Sequence, residues 1–179
     1  SHYYITAPAA AGLPCKLLKL DAVSGQSTEL TTGADLRFMC FNRFGELYLC
    51  DGSVLKAFDV RTTPPTPIAT RTLSGVPDAM EYDDSTDTFA VVVTSAAGGG
   101  RTLARYDRAL GALTSAAPFP SGAASSGGLS LAFNRADGSV FVCGMNTPMV
   151  FRLSQAGNVL SLVDSISLPP GTHPAGLNV

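Results

Sequence analysis

An internal repeat is the feature that most constrains how this chain can fold. An apolar strand that ends in an aromatic residue or Val occurs four times, at residues 36–41, 77–82, 128–133 and 174–179. A turn that contains Asn or Asp follows the first three copies. Self-similarity with a period of about 40–50 residues is typical of repeat architectures. The sequence therefore predicts several copies of one structural unit rather than a single irregular core.

Each repeat continues with further strands, and their patterns predict β-structure throughout. The second strands, at 47–50, 89–92 and 140–143, are nearly continuous in apolar residues, and residues 3–6 fit the same position. Continuous apolar runs in the first and second strands predict burial on both faces. The third strands alternate polar and apolar residues, which is typical of a strand with one wetter face. Their polar positions are held by Lys19, Lys56, Arg105 and Arg152.

A fourth, weaker strand completes each repeat, at residues 27–30, 68–73, 113–119 and 159–168. Four antiparallel strands per repeat are the unit of a β-propeller. We therefore predict an all-β fold, a β-propeller of about four four-stranded antiparallel blades within a single domain, 1–179. The predicted blades are 174–179 plus 3–33, then 36–75, 77–120 and 128–171. The C-terminal strand is expected to pair with residues 3–6 and complete the first blade, and a slice of a larger propeller is the alternative.

Charge and hydropathy exclude two classes of partner. The net charge is −2, and the twelve Lys and Arg residues are scattered along the chain. A nucleic-acid groove needs clustered positive charge, so we predict no nucleic-acid partner. No apolar run reaches about 18 residues, so no membrane-spanning helix is predicted. The low charge and the Ala-, Ser-, Thr- and Gly-rich loops favour an extracytoplasmic or secreted protein.

The cysteines and histidines carry no metal-site pattern. Cys15, Cys40, Cys50 and Cys143 form no C-x-x-C pair, and the two histidines, at positions 2 and 173, are far apart in the sequence. We therefore predict no zinc site and no cofactor. The cysteines are interpreted as small apolar core residues, with a Cys15–Cys50 disulfide as the alternative.

Short segments resemble the NHL and YVTN families of β-propellers. Residues 75–80 and 172–177 are similar to the blade-opening segment of these families, and residues 41–49 and 133–142 resemble their hairpin between first and second strands. The resemblance implies propeller blades, and those families have six to eight of them. It implies no particular activity, because this architecture carries many unrelated functions. The chain has no Trp, so the signature of WD repeats is absent.

Function is predicted from topology rather than from a motif. The chain has no G-x-S-x-G segment, and neither histidine has a triad-like context. In a propeller, the loops between blades and those between second and third strands meet at one mouth, which is a common place for a binding site. The residues expected there are Asp35, Asp51, Asp78, Arg101, Asn146 and His173.

Two functional hypotheses follow for this predicted mouth. The favoured one is a non-enzymatic binding or structural module that presents its loops to a protein or glycan partner, because no acid, base and nucleophile converge. The alternative is a metal-dependent hydrolase or lyase resembling the gluconolactonase-like or streptogramin-lyase-like propellers. Its metal ligands would be Asp51, Asp78, Asn146 and His173.

Overall fold

The computed structural model describes residues 2–7, 13–95, 100–114, 117–118, 129–144, 148–157 and 159–169. Over these residues all regular structure is β, with fifteen strands and no helix, which confirms the all-β prediction. The strands are β1 (His2–Ala7), β2 (Cys15–Asp21), β3 (Ser27–Gly33), β4 (Leu36–Phe41), β5 (Glu46–Asp51), β6 (Val54–Asp59), β7 (Thr66–Thr72), β8 (Gly75–Asp83), β9 (Thr88–Ser95), β10 (Arg101–Asp107), β11 (Ala117–Pro118), β12 (Leu129–Phe133), β13 (Val140–Gly144), β14 (Met149–Ala156) and β15 (Val159–Ser167).

The strands form four antiparallel sheets in which neighbours in sequence are neighbours in space. Sheet A has the order β1-β2-β3, sheet B β4-β5-β6-β7, sheet C β8-β9-β10-β11 and sheet D β12-β13-β14-β15. This repeated up-and-down order is propeller-like, as predicted from the repeat. The segment 174–179, expected to complete sheet A, lies outside the described residues, so that pairing stays a prediction.

The chain forms two compact units, Ser1–Leu73 with sheets A and B, and Ser74–Val179 with sheets C and D. In the first unit, Leu17 of sheet A packs in one cluster with Leu47 and Leu49 of sheet B. In the second, one face of sheet C packs against one face of sheet D. This second core contains Ala79, Ala90, Val92, Leu103, Leu131, Phe133, Val140, Val142, Phe151, Leu153 and Leu160.

The second strands of sheets B, C and D are largely buried on both faces as predicted. The prediction was wrong for β1, which fits the second-strand position in sheet A but is mostly exposed, and for the first strand of sheet B. The strands β5 and β9 are buried over almost their whole length. In β4, Arg37 and Phe38 are exposed. The reason is a β-bulge: Arg37 pairs with Cys50 and Met39 pairs with Leu49, which leaves Phe38 without a partner in the ladder. Its φ of 40° turns the side chain out of the sheet.

The hairpins between first and second strands are built alike in sheets B, C and D. A side-chain oxygen of Asn42, Asp83 or Asn134 accepts the backbone N–H two residues further on. Such Asx turns are a standard way to close a tight connection. The residue just before the apolar run of each second strand is polar and yet buried, namely Glu46, Thr88 and Ser139. One end of each sheet therefore combines tight turns with buried polar groups.

Cys15 and Cys50 are not joined by a disulfide, which rules out the alternative Cys15–Cys50 pairing. Cys15, Cys50 and Cys143 are buried, as expected for small core residues, and Cys40 is half-buried. Burial raises the pKa of the Cys50 thiol to about 12. Within the described ranges, no helix is long and apolar enough to span a bilayer.

Candidate functional site

Two of the predicted mouth residues meet at one end of sheet B. Asp35 precedes β4 and Asp51 ends β5, and the Asp35 N–H donates to Asp51 Oδ1 over 3.0 Å. Each carboxylate also has its own cation: Lys56 Nζ donates to Asp51 Oδ2 at 2.6 Å and Arg37 Nε to Asp35 Oδ1 at 2.7 Å. Burial raises the pKa of Asp51, but the bonds from Lys56 and from backbone N–H groups outweigh it, so the pKa lies below its ordinary value. Asp51 is therefore held ionised beside Lys56, and Asp35 forms its own ion pair with Arg37.

Two further predicted residues meet at the corresponding end of sheet C. Asp78 lies near the start of β8, and Arg101 begins β10, two strands away in the sheet. Arg101 Nε donates to Asp78 Oδ2 over 2.8 Å, and the Thr94 hydroxyl donates to the same oxygen. Asp78 and Arg101 thus form an ion pair that ties the three strands together, and their part in a shared mouth stays a prediction.

The other two predicted mouth residues, Asn146 and His173, lie outside the described residues. Their part in a site stays a prediction, and so does the four-ligand metal site. Over the described ranges, no three or more His, Cys, Asp or Glu residues are grouped so that they could hold a metal ion.

A different polar cluster lies at the hairpin end of sheet C, opposite the Asp78–Arg101 end. Its centre is Arg105 of β10, which is buried together with Asp83. Arg105 Nη2 lies 3.4 Å from Asp83 Oδ2 and donates to the hydroxyls of Thr88 and Thr86 at 2.6 and 3.2 Å. The guanidinium carbon stands 5.0 Å from the centroid of the Phe133 ring of sheet D, a cation–π contact.

The hydroxyls in this cluster form a directed chain that ends at Asp83. Thr86 donates to Asp83 Oδ2 at 2.6 Å, and the Thr86 and Thr88 hydroxyl oxygens are 2.8 Å apart. Since Thr86 gives its proton to the carboxylate, Thr88 donates to Thr86 and accepts from Arg105. The hydroxyl protons of Thr86 and Thr88 are therefore both donated within the cluster. The guanidinium of Arg105 is the group that has further N–H donors. Its Nε is buried without a hydrogen-bond partner, and its Nη1 has a 3.4 Å bond to the Gly138 carbonyl.

The Arg105 cluster forms one wall of a pocket between sheets C and D. The pocket has a volume of about 320 Å³ and is lined by Thr86, Thr88, Arg105, Leu113, Asp137, Gly138, Gln155 and Gly157. The facing wall comes from the β12–β13 hairpin and from the turn after β14. There Gln155 uses its Nε2 to donate to the Gly157 carbonyl at 2.7 Å, so its amide oxygen keeps its capacity to accept. We call this site the C–D pocket.

The two carboxylates of the C–D pocket region are both held ionised. Burial raises the pKa of Asp83, but the bonds from Ser85 and Thr86 and the charge of Arg105 lower it by more, so the net shift is downward. Bonds from the Ser139 hydroxyl and N–H, followed by the Arg152 contact, lower the pKa of Asp137. Burial lowers the pKa of Arg105, and Asp83 opposes this effect. The pocket therefore presents one cation and one exposed carboxylate, each with a fixed charge near neutral pH.

The sequence pattern placed Arg105 on the wetter face of a third strand, and this prediction was wrong. Arg105 pairs with Ala90 across the ladder, and that face of sheet C is covered by sheet D. Arg152 occupies the equivalent position in sheet D and makes the equivalent contact, donating to the Ser139 hydroxyl at 3.2 Å. The sequence signal for this contact is a pair of residues that recurs in both repeats. An arginine of the third strand, Arg105 or Arg152, occurs together with a Thr or Ser just before the second strand, Thr88 or Ser139. It identifies the contact but not which copy is buried.

Comparisons with known proteins define the fold class and no more. Neither a protein-family model nor a curated protein matches the sequence. Among solved structures, a functionally unknown protein from Desulfotomaculum acetoxidans matches 89% of this chain and 50% of its own at 14% identity, with a TM-score of 0.70. A Bacteroides fragilis protein provisionally named a 6-phosphogluconolactonase matches 93% of this chain and 55% of its own at 11% identity, with a TM-score of 0.59.

A second provisional 6-phosphogluconolactonase, from Bacteroides uniformis, matches 92% of this chain and 53% of its own at 13% identity, with a TM-score of 0.62. The chain thus spans about half the length of the solved structures that it matches. Identities this low show a shared fold and leave activity undetermined. The chain is therefore of the propeller-like all-β class.

Proposed function

We propose that this chain is a non-enzymatic binding module whose C–D pocket takes a polyhydroxylated, glycan-type ligand. One observation carries the proposal: a buried arginine with an unpartnered Nε stands in the wall of a 320 Å³ pocket, across from acceptor groups. Pockets of about 300 Å³ and more hold small ligands. A mixed set of fixed donors and acceptors suits a ligand whose hydroxyls both give and accept hydrogen bonds.

The hydrogen-bond donor and the hydrogen-bond acceptors lie on different walls of the pocket. Arg105 Nη1 supplies a charged donor, since its 3.4 Å bond to Gly138 is long for a hydrogen bond. The carboxylate of Asp137 and the amide oxygen of Gln155 supply acceptors on the other wall. Adjacent sugar hydroxyls would donate to these acceptors and accept from the guanidinium. Leu113 adds an apolar surface for the C–H groups of a sugar ring.

Binding is favoured over catalysis by the protonation states of the pocket. A general acid or base works best when its pKa lies near the operating pH. The pKa values of Asp83 and Asp137 are both shifted down, away from neutrality, by hydrogen bonds and neighbouring cations. The carboxylates Asp51 and Asp78 of the predicted mouth are likewise committed to Lys56 and Arg101.

Isothermal titration calorimetry with glucose, gluconate and 6-phosphogluconate tests the proposal. We expect binding of at least one of these, and we expect Gln155→Ala to weaken it about 3- to 10-fold, the equivalent of one hydrogen bond. The matched control is Gln26→Ala, a glutamine of the other unit, which should leave the affinity unchanged. Absence of heat with all three ligands, or equal affinities for the two variants, would contradict the proposal.

A hydrolase that opens sugar lactones is the second candidate. It is favoured by the fold shared with two proteins provisionally named 6-phosphogluconolactonases. The test is the rate of acid release from glucono-δ-lactone and from its 6-phosphate, with and without added divalent metal. Turnover above the spontaneous rate that depends on Asp51 or Asp78 supports this candidate, and the spontaneous rate in all mixtures rules it out for these substrates.

A further inference from the structure

A second pocket lies between sheet A and sheet B, within the first unit. Its volume is about 190 Å³, and its lining includes His2, Lys19, Asp21, Thr28, Leu30 and Thr63. All of these residues except Thr63 belong to strands of sheet A, and Thr63 lies in the connection between β6 and β7 of sheet B. Most of these side chains are polar, so the pocket suits a polar group. We call this site the A–B pocket.

The central cation of the A–B pocket is Lys19, and it lies on the face of sheet A that packs against sheet B. Alternate residues of a strand share a face. Leu17, two residues before Lys19, packs in one cluster with Leu47 of sheet B. Lys19 itself pairs with Tyr4 in β1 and with Thr28 in β3, and it is half-buried. The sheet therefore fixes the backbone of Lys19 beside a hydroxyl and toward the pocket.

The A–B pocket occupies the same place in the repeat as the C–D pocket. The first residue of the second strand, His2 in one and Thr88 in the other, pairs with an Asp that ends the third strand. The cation, Lys19 or Arg105, stands two residues before that Asp. In both pockets the opposite wall includes the connection between the third and fourth strands of the next sheet, which is where Thr63 lies. The repeat thus builds the same kind of pocket twice, with different side chains in it.

The two pockets differ in how their cations are neutralised. In the C–D pocket, Arg105 lies against the buried carboxylate of Asp83. In the A–B pocket, Lys19 has no ion pair or hydrogen bond with any residue that the structure describes. A lysine ammonium has three N–H donors and a full charge. Lys19 therefore offers its charge and its donors to a ligand.

The carboxylate of Asp21 in the A–B pocket already has other partners. Its Oδ1 accepts the N–H groups of Val23 and Ser24 over 2.9 and 2.7 Å, and also the Ser24 hydroxyl at 3.0 Å. Its Oδ2 lies 3.4 Å from Nε2 of His2. Asp21 thus closes the turn after β2 and contacts His2, and it forms no ion pair with Lys19.

We propose that the A–B pocket binds the phosphate group of a small phosphate monoester. Lys19 supplies the charge, since lysine binds phosphate as a point charge. The hydroxyls of Thr28 and Thr63 supply neutral donors from sheets A and B, and neither has a hydrogen bond within the described part of the chain. A tetrahedral phosphate directs oxygens to several sides at once, whereas a carboxylate has two oxygens in one plane. The pocket is smaller than the 300 Å³ or so that whole small ligands occupy, so it takes the phosphate and leaves the rest of the ester outside.

A titration of the ¹⁵N-labelled chain with inorganic phosphate and with glycerol 3-phosphate tests this proposal at neutral pH and constant ionic strength. Both probes should shift the backbone amides of Lys19, Thr28 and Thr63, with saturation below about 10 mM. The proposal is overturned if neither probe shifts these amides, if the ester does not bind, or if the shifts concentrate elsewhere. This site goes beyond the proposed function, because the amide of Gln155 reports on the C–D pocket separately.

A lysine on the other face of the same strand provides the matched control. Lys19→Gln should weaken binding of glycerol 3-phosphate about 10-fold, the equivalent of one charged hydrogen bond. Lys16 is exposed, lies on the opposite face of β2 and pairs with Glu29 at 2.6 Å, so Lys16→Gln should leave the affinity unchanged within about 2-fold. Circular dichroism and the urea midpoint verify that both variants are folded. Equal losses in the two variants would indicate general attraction by surface charge and would overturn the site.

Asp21→Asn tests whether the ligand group is an anion. Asparagine keeps a side-chain oxygen for the N–H groups of Val23 and Ser24, so the turn is retained, and it removes the negative charge beside the pocket. Glycerol 3-phosphate should therefore bind about 2- to 5-fold more tightly to this variant. Weaker binding would show that the ligand uses the Asp21 carboxylate as an acceptor, and it would overturn the proposed phosphate site.

Discussion

Replacement of Arg105 by Met isolates the energetic role of the buried cation. Methionine keeps the length of the side chain and the apolar contact with Phe133, but it removes the charge opposite Asp83. The Asp83 side chain is completely buried in the native protein, and Arg105 is 7% exposed. The variant therefore leaves a carboxylate inside the protein without its cation.

The magnitude follows from the environment that remains. Breaking a buried ion pair by removing one partner costs about 3–5 kcal/mol. Asp83 keeps its bonds from the Ser85 N–H, the Ser85 hydroxyl and the Thr86 hydroxyl, which places the expected loss near the lower end, about 3 kcal/mol. The repeat supplies a matched control in Arg152→Met. Arg152 is 38% exposed and its partner Asp137 is similarly exposed, and such surface pairs contribute little to stability.

Urea unfolding, followed by circular dichroism at pH 7, measures both variants. A loss of about 3 kcal/mol corresponds to a fall of about 1–2 M in the urea midpoint for an ordinary m-value. Asp83→Asn combined with Arg105→Met should recover part of this loss, because the uncompensated charge is gone. If Arg105→Met lowers the free energy of unfolding no more than Arg152→Met does, the argument that burial makes the Arg105–Asp83 pair important for stability is refuted.

The pH dependence gives an independent check on the same pair. The folded pKa of Asp83 is depressed, so its contribution to stability is present above the ordinary value of about 3.9 and is lost as the pH falls through the folded pKa. In Arg105→Met the pKa of Asp83 rises. The difference in stability between Arg105→Met and the native protein should therefore be largest near pH 7 and shrink toward pH 4. A difference that is constant over this range would contradict the electrostatic explanation.

Three further predictions concern local features. Bonds from the Ser24 and Val23 N–H groups, and then from the Ser24 hydroxyl, lower the pKa of Asp21 to about 2. The NMR titration midpoint of Asp21 should therefore lie near 2, and in Ser24→Ala it should rise without reaching the ordinary value. Because burial raises the pKa of Cys50 to about 12, iodoacetamide at pH 8 should leave Cys50 unmodified in the native protein and alkylate it in urea, as read by mass spectrometry. A Cβ on Gly75 would collide with the Thr94 carbonyl, so Gly75→Ala should lower the free energy of unfolding by about 1–3 kcal/mol. An unchanged urea midpoint would contradict this close approach of β8 and β9.

The repeat was enough to predict the strands because their patterns are local. Apolar runs such as 89–92 report directly on burial, and the hairpin residues Asn42 and Asp83 fix where first strands end. The bulge at Phe38 was not predicted because it depends on the register between β4 and β5, which the sequence of β4 alone does not determine.

The site was predicted less well, for a physical reason. Asp35, Asp51, Asp78 and Arg101 lie near sheet ends because position in the repeat determines the end of the sheet, and the shared mouth predicted for them stays a prediction. Whether a polar residue is exposed depends instead on the neighbouring sheet. Arg105 and Arg152 hold the same repeat position, yet sheet D covers the face that bears Arg105. The C–D pocket arises from this packing, so periodicity alone does not reveal it.

The most direct test of the proposed function is a map of ligand-induced shifts. An ¹⁵N-labelled sample titrated with gluconate should show backbone amide changes concentrated at Thr86, Thr88, Arg105, Gly138, Gln155 and Gly157. The amides of Asp35, Asp51 and Asp78 should stay in place. Shifts at those three residues with none around the C–D pocket would contradict the account, and so would a spectrum that does not change at millimolar ligand.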